Sequence, residues 1–313
     1  MTSAPPAPPA AVRLAVGSVT FLLFAANTVV LCSVLYLVAL IRLAVPVASW
    51  RRRVSRVLVS IGEAWIAVNT FFLRLTQPTV YDVRGLEGLR RDVSYLVVSN
   101  HQSWVDIPVL QGVFLRRLPF LRFFLKQQLI RVPVLGLAWR ALDFPFMKRH
   151  PREALEKNPA LRFEDLEATR RACEKFRHAP AAILNFVEGT RFTPAKHARG
   201  GAEYRHLLSP KAGGLAFAAS AMGEQLKGLV DVTIVYPHGS PTFWDAISRG
   251  LPEVVVRVQE RAIPVEWFTG DYADDTAFRE GVQAWVRTLF REKDEEIASI
   301  LASRAPAAGP PAR

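Results

Sequence analysis

The chain has 313 residues, of which 50% are hydrophobic and 22% are charged, and it carries a formal net charge of +12 at pH 7. This composition excludes a disordered protein, and the length allows one large domain or two modest ones. The excess of 40 basic over 28 acidic residues predicts an acidic partner, either nucleic acid, anionic lipid or a phosphorylated substrate. Two cysteines, Cys32 and Cys173, exclude a disulfide framework, and no Cys-x-x-Cys pair is present to bind zinc.

The N-terminal part of the chain is predicted to be a membrane anchor. After a Pro/Ala-rich tail (residues 1–11) that we expect to be disordered, residues 14–41 contain no charged side chain. About 20 apolar residues are enough to span a bilayer. The sequence leaves two alternatives open, a cleaved signal peptide and a re-entrant hairpin that turns at Asn27–Thr28. The arginines that follow place the bulk of the chain on the cytoplasmic side; they are Arg42, Arg51, Arg52, Arg53 and Arg56.

A second apolar segment, Val57–Leu75, is predicted to be an amphipathic helix. Its large apolar residues recur at spacings of three and four, which aligns them on one helix face. Two interpretations remain open: a helix packed on the core, or an interfacial helix that lies on the bilayer with the arginines against anionic headgroups. We therefore expect residues 12–77 to form a membrane anchor followed by an interfacial helix.

Residues 78–302 alternate short β-type runs with helical runs, which predicts a single α/β domain. Residues 303–313 are again rich in proline and alanine and are expected to form a second disordered tail. The predicted strands are Thr79–Arg84, Tyr95–Ser99, Ala182–Val187, Asp231–Tyr236 and Glu253–Gln259. The predicted helices are Asp106–Arg117, Leu161–Arg177, Lys211–Met222 and Ala273–Leu301.

Two further segments are candidates for ligand binding. Residues 195–209 are predicted to be a long loop, and long loops in compact domains often act as lids or binding segments. His197 and His206 lie in it, although neither has the spacing of a metal ligand. The segment Arg116–Arg152 carries nine basic residues and one acidic residue. It is either a solvated face or a surface for phosphate or lipid headgroups, because it lacks a nucleic-acid-binding signature.

The run YLVVSNHQSWVD, residues 95–106, has the pattern of a strand, a turn and a helix start. His101 and Asp106 would lie on different faces of one helix, but they can meet across such a turn. A histidine oriented by a carboxylate is a general base. This spacing alone is a weak signal.

The longer string NHQSWVD resembles the NHxSxxD signature of the glycerolipid acyltransferases, the family of 1-acylglycerol-3-phosphate acyltransferase. Three further blocks follow in the order found in that family: PFMKR with Arg149, FVEGTRF at residues 186–192, and IVYP ending at Pro237. Together the four blocks cover about residues 95–237. The resemblance implies an acyltransferase domain with a mixed β-sheet flanked by helices, after an N-terminal transmembrane or interfacial helical segment.

The resemblance also assigns roles to residues. His101 would be the general base and Asp106 its orienting partner. Residues expected to bind substrate are Asn100, Arg149, Glu188, Gly189, Thr190, Arg191 and Lys211, with Arg191 on a phosphate. Lys211 is included because it follows the long loop, not because of the resemblance, and it is equally well explained as a helix-start lysine.

The implied reaction moves a fatty acyl group from an acyl thioester to a lysophospholipid hydroxyl, converting 1-acylglycerol-3-phosphate to phosphatidic acid. The thioester, acyl-CoA or acyl carrier protein, is a co-substrate, and neither a cofactor nor a metal is expected. The acceptor is left open: a lysocardiolipin-type or lysophosphatidylglycerol-type lipid and glycerol 3-phosphate are alternatives. A non-enzymatic, membrane-tethered basic module that binds anionic lipid or RNA is the rival class. We expect the enzyme at the cytoplasmic (inner) membrane, with no nucleic-acid partner.

Overall fold

The computed structural model describes residues 8–147, 171, 173, 176, 179–272 and 274–304. Arg149 lies outside the described residues, as does almost all of the predicted helix Leu161–Arg177. The helices of the described part are α1 Ala10–Ala44, α2 Ala48–Thr76, α3 Asp106–Phe114, α4 Leu135–Ala141, α5 Pro194–Arg199, α6 Gly213–Met222, α7 Phe243–Ile247 and α8 Thr276–Arg304. The strands are β1 Val80–Arg84, β2 Ser94–Ser99, β3 Leu121–Phe123, β4 Leu125–Lys126, β5 Phe146–Met147, β6 Ala182–Phe186, β7 Leu226–Val235 and β8 Glu253–Arg261.

The N-terminal helices α1 and α2 form a hairpin around a three-residue break at residues 45–47, where Pro46 cannot donate a helical hydrogen bond. Helix α1 runs unbroken through Asn27 and Thr28, so the re-entrant turn considered there is wrong. The break occurs instead beyond the apolar run. Helix α1 also begins at Ala10, inside the tail expected for residues 1–11, whose first seven residues lie outside the described part.

A polar seam joins the two helices of the hairpin. The Asn27 amide donates to Asn69 Oδ1 at 2.8 Å and to the Trp65 carbonyl at 3.1 Å. The Trp65 indole N–H donates to Thr28 Oγ1 at 3.1 Å. Hydrogen bonds of this kind set the register between two otherwise apolar helices.

Both hairpin helices are long and apolar enough to cross a membrane, judged by length and composition. The most apolar stretch of α1 is only 17% buried within the chain, unlike the core helix of a soluble protein. Its exposed side chains include Phe21, Leu22, Val30, Leu37 and Leu43. These features favour association with a membrane.

A six-stranded sheet in the order β1-β8-β7-β2-β6-β3 forms the centre of the molecule. Its pairings are parallel except that between β7 and β8, so the sheet is mixed as expected. All five predicted strands are present. The structure adds β3 and a small sheet of β4 and β5, strands of two or three residues that are too short to show a period in the sequence.

The two faces of the sheet pack against different helices. Alternate residues of β2 point to opposite faces, so Tyr95 and Val97 join a core with α1, α2 and α3, while Leu96 and Val98 join a core with α6 and α8. The hairpin and the sheet therefore share one hydrophobic core.

Several predicted boundaries need correction. Helix α3 ends at Phe114, before Arg117, and α6 begins at Gly213, after Lys211. The expected loop at residues 195–209 contains most of α5, which Thr193 caps through a hydrogen bond from the Lys196 amide. Helix α8 extends to Arg304, inside the expected C-terminal tail.

Candidate active site

The structure brings His101 and Asp106 together at the carboxyl end of β2. His101 follows this strand in a tight turn, and Asp106 is the first residue of α3. Nδ1 of His101 lies 2.7 Å from Asp106 Oδ2, which also accepts the backbone N–H groups of Gln102 and Ser103 at 2.7 and 2.9 Å. The carboxylate thus fixes the turn and orients the imidazole at the same time. Because Nδ1–H donates to the carboxylate, the lone pair of neutral His101 is on Nε2.

Tyr236, the residue after β7, completes this arrangement from a neighbouring strand. Its hydroxyl donates to Asp106 Oδ1 at 2.7 Å, while Asp106 itself is 0% exposed. Burial and the adjacent carboxylate raise the pKa of Tyr236 well above its ordinary value, so the phenol stays protonated as a donor. Four donors therefore hold the charge of a carboxylate that has no access to solvent. Sequence reasoning missed Tyr236, although it stands in the fourth block, IVYP.

The His101 ring is held in place by the strand next to β2. It stacks on Phe186, the last residue of β6, with ring centroids 3.9 Å apart and planes inclined by 14°. The parallel pairing of Ser99 with Phe186 brings the residues after these two strands to the same edge of the sheet. The stack restrains the plane of the imidazole ring, while the hydrogen bond to Asp106 restrains the rotation of the ring within that plane.

Glu188 holds the backbone of His101 in place through a hydrogen bond. One carboxylate oxygen accepts the His101 N–H at 2.8 Å and the other accepts the Leu208 N–H at 2.9 Å. The side chain is 2% exposed, and burial raises the pKa of Glu188 to about 7. Both oxygens are engaged with the backbone, so the geometry gives Glu188 a positioning role, unlike the expected role in shaping the acceptor site.

Asn100 is also buried beneath the site. Its amide nitrogen donates to the Ile234 carbonyl and its amide oxygen accepts the Ile234 N–H, both at 2.9 Å. The side chain therefore ties the end of β2 to β7. This differs from the substrate contact predicted for Asn100, because both ends of the amide are already bonded to backbone.

The predicted phosphate-binding residues follow β6 in a turn. Gly189 has a φ of 72°, a left-handed conformation that favours glycine, and it begins the stretch Gly189–Arg191 that lines a large cavity. The Arg191 guanidinium lies over the Trp104 ring, 4.4 Å from its centroid. Lys196 secures this turn, because its ammonium group donates to Thr190 Oγ1 at 2.7 Å and to the Arg191 carbonyl at 3.0 Å.

Of the other predicted cations, Lys211 is exposed and is not among the described residues that line the cavity. Its backbone N–H donates to the Val187 carbonyl at 2.8 Å. Lys126, which sequence reasoning left within a generally basic segment, does line the cavity beside the site. His197 lies 2.5 Å from the Tyr204 carbonyl, and the His206 amide donates to Asp294, so both contribute to the fold of their loop.

The cavity in front of His101 has a volume of about 960 Å³. It extends between the sheet, α3 and the N-terminal hairpin, and its lining is mainly apolar. His101, Lys126 and Arg191 supply polar groups at this site. A volume near the upper end of the range for ligand pockets suits an elongated apolar ligand with one polar end.

Comparison with known proteins identifies the family to which the chain belongs. The model that matches is that of the acyltransferases, and it covers residues 80–237, about half of the chain. The chain therefore belongs to the acyltransferase family, which confirms the resemblance drawn from the four sequence blocks.

Two particular proteins are similar to the chain. A probable 1-acyl-sn-glycerol-3-phosphate acyltransferase 5 of Arabidopsis thaliana is 25% identical over 245 residues, which are 74% of this chain and 60% of that protein. The chain thus spans less than two thirds of the length of this curated relative. The crystal structure of the 1-acyl-sn-glycerophosphate (LPA) acyltransferase PlsC from Thermotoga maritima matches with a TM-score of 0.56 at 19% identity. That match covers 94% of this chain and 99% of the solved chain, and it confirms the fold, including the N-terminal helical segment.

Proposed function

We propose that this protein transfers a fatty acyl group from an acyl thioester to the free hydroxyl of a lysophospholipid, with 1-acylglycerol-3-phosphate as the acceptor and phosphatidic acid as the product. The observation that carries the proposal is the His101–Asp106 pair at the wall of a large, mainly apolar cavity that also exposes two cations. The family and the likeness to two lysophosphatidic acid acyltransferases support it.

In this mechanism Nε2 of neutral His101 takes the proton from the acceptor hydroxyl. The oxygen attacks the thioester carbonyl carbon, and a tetrahedral intermediate forms. When it collapses, the carbon–sulfur bond breaks and the imidazolium returns its proton to the departing thiolate. Asp106 stabilises the imidazolium between the two proton transfers, and Tyr236 holds Asp106 in place. No covalent acyl-enzyme is needed, because the acceptor oxygen is the nucleophile.

The surroundings of His101 suit the two substrates. An acyl chain fits among the apolar side chains between α3 and the hairpin. Among the described residues, Arg191 and Lys126 are the cations that line the same cavity, and a planar guanidinium suits a phosphate group. Arg149, assigned by the resemblance to the same phosphate, lies outside the described residues and keeps this role as a prediction.

The hairpin would place the site at a membrane surface, where acceptor and product reside. We propose that it inserts from the cytoplasmic side of the inner membrane, with acyl-CoA or acyl carrier protein arriving from the cytoplasm. The exposed Arg51, Arg52 and Arg53 at the start of α2 support this orientation, since basic residues remain on the cytoplasmic side and attract anionic headgroups.

The test is acyl transfer by the purified full chain in detergent, with acyl-CoA and acyl carrier protein donors. The acceptors are lysophosphatidic acid, glycerol 3-phosphate, lysophosphatidylglycerol and lysocardiolipin, so the panel also identifies the acceptor. We expect His101→Ala to lower the rate about 10²–10⁴-fold, as the loss of a general base does. His238→Ala is the matched control, because that imidazole is exposed and lies 3.8 Å from Glu253 at the surface.

Full activity of folded His101→Ala would contradict the general-base assignment. Absence of transfer to every acceptor, with both donors and folded protein, would favour the non-enzymatic lipid-binding module instead.

A further inference from the structure

One face of helix α3 lines the cavity, and the last residue of α3 that lines it, Gln111, is polar. Ile107, Pro108 and Gln111 follow the helical spacing of three and four residues, and all three line the cavity. The first two are apolar, as expected for the wall of an acyl-chain site. Gln111 lies about 7.5 Å beyond Asp106 along the helix axis, at 1.5 Å per residue. It therefore lies more than one helical turn beyond the residue that orients His101.

The amide of Gln111 has no hydrogen-bond partner among the residues that the structure describes, although the residue is only 7% exposed. An amide carries two donors and an acceptor with two lone pairs. Within the described part of the chain, every side-chain nitrogen or oxygen that is fully enclosed has a partner. The Gln111 amide is thus buried in the molecule but still open to the cavity. A purely hydrocarbon ligand would cover this amide without satisfying it.

Polar groups of the hairpin line the same cavity. Thr28, Asn69 and Thr70 line it, and with Gln111 they form what we call the polar collar. Thr70 Oγ1 lies 3.1 Å from the position that a Cβ on Gly112 would take, so α2 and α3 approach each other beside Gln111. The Asn69 oxygen accepts from Asn27, which leaves its amide N–H groups as donors.

We propose that the polar collar binds an oxygen substituent, a hydroxyl or oxo group, in the interior of the acyl chain. This inference rests on the proposed acyl transfer and adds a substrate class to it. A hydroxyl both donates and accepts, so it can pair with the Gln111 amide where a methylene group cannot. A site built to hydrogen-bond a hydroxyl discriminates strongly against the analogue that lacks it, because its own buried polar group is then left unpaired.

The experiment compares acyl-CoA thioesters of one chain length, unsubstituted or with the hydroxyl moved stepwise along the chain. We expect wild type to prefer one interior isomer over the unsubstituted thioester by about tenfold or more in kcat/KM. Gln111→Met has a similar volume and no amide, and it should abolish or reverse this preference. Ile107→Met is the matched control on the same helix face, and it should affect all thioesters alike.

Binding of the free hydroxy and unsubstituted fatty acids, measured by calorimetry on the same three proteins, gives a readout that does not depend on turnover. If no acyl transfer occurs but the hydroxy acid binds better to wild type than to Gln111→Met, the polar collar stands and the proposed function fails. Equal kcat/KM and equal binding for both chain types in wild type would overturn the polar collar alone. A preference that survives in Gln111→Met would equally overturn the role of this amide.

Discussion

Replacement of Glu188 by glutamine is expected to remove a pH dependence from the stability of the protein. Burial raises the pKa of this carboxyl from its ordinary value of 4.5 to about 7 in the folded chain. Between these two pH values the native state holds a proton that the unfolded state has released. The contribution of Glu188 is therefore fully present below the unfolded pKa and is lost as the pH rises through the folded pKa.

The magnitude follows from the difference between the two pKa values. One pKa unit corresponds to about 1.4 kcal/mol, so the free energy of unfolding falls by about 3 kcal/mol from the acidic to the basic end of this window. The variant has no such titration. The glutamine also places an N–H donor where one Glu188 oxygen accepts a hydrogen bond from the His101 or Leu208 backbone. This mismatch lowers the free energy of unfolding by about 1–3 kcal/mol, and it does not depend on pH.

The assay is unfolding in detergent followed by tryptophan fluorescence, for wild type and Glu188→Gln, from about pH 5 to about pH 8. We expect the variant to be less stable than wild type at the acidic end, and this gap to shrink by about 3 kcal/mol as the pH rises, so that the variant equals or exceeds wild type in stability at the basic end. Glu224→Gln, at an exposed position in the turn before β7, is the matched control and should follow the wild-type curve. Parallel curves for wild type and Glu188→Gln would refute the raised pKa and the argument built on it.

Three further predictions concern groups around the cavity. Tyr236→Phe removes one of four donors to Asp106 and should lower kcat/KM about tenfold with every acceptor; an unchanged kcat/KM in the folded variant would contradict this. Arg191→Met should raise KM for lysophosphatidic acid about tenfold or more but leave monoacylglycerol, which lacks phosphate, unaffected in the same kinetic assay. Asn27→Leu leaves the Asn69 oxygen unpaired and should destabilise the chain by about 1 kcal/mol in thermal unfolding, whereas the double change to leucine at both positions should recover most of that loss.

Much of the site was predictable because its core is local in sequence. The meeting of His101 with Asp106 depends on a strand, a turn and a helix start within twelve residues, and each leaves a sequence signal. The apolar stretch of α1 was equally visible, since length and the absence of charge are enough to mark it. The packing of α1 against α2 was not predicted. A helix packed on the core and an interfacial helix have the same apolar pattern in the sequence and differ only in what they contact.

The backbone contacts of Asn100 and Glu188, which the sequence did not predict, have a common physical reason. Both residues lie inside motifs that suggest substrate contact, and both carry polar groups that need partners. Whether such a group contacts a ligand or the backbone depends on which strand lies next to it. For Asn100 the neighbouring strand is β7, whose Ile234 is 134 residues further along the chain. The order of residues along the chain does not show that Ile234 lies beside Asn100 in the fold.

The sequence by itself determined the family, the pairing of His101 with Asp106, and the division into an apolar N-terminal part and an α/β part. Periodicity and local turn chemistry encode these properties over a few residues at a time. Only the tertiary structure decided that Tyr236 holds Asp106, that Phe186 stacks on His101, and that α2 and α3 enclose a cavity with the Gln111 amide in its wall. These depend on the order of strands in the sheet and on the packing of distant helices. Local patterns specify which residues are buried, but the fold determines what each buried residue contacts.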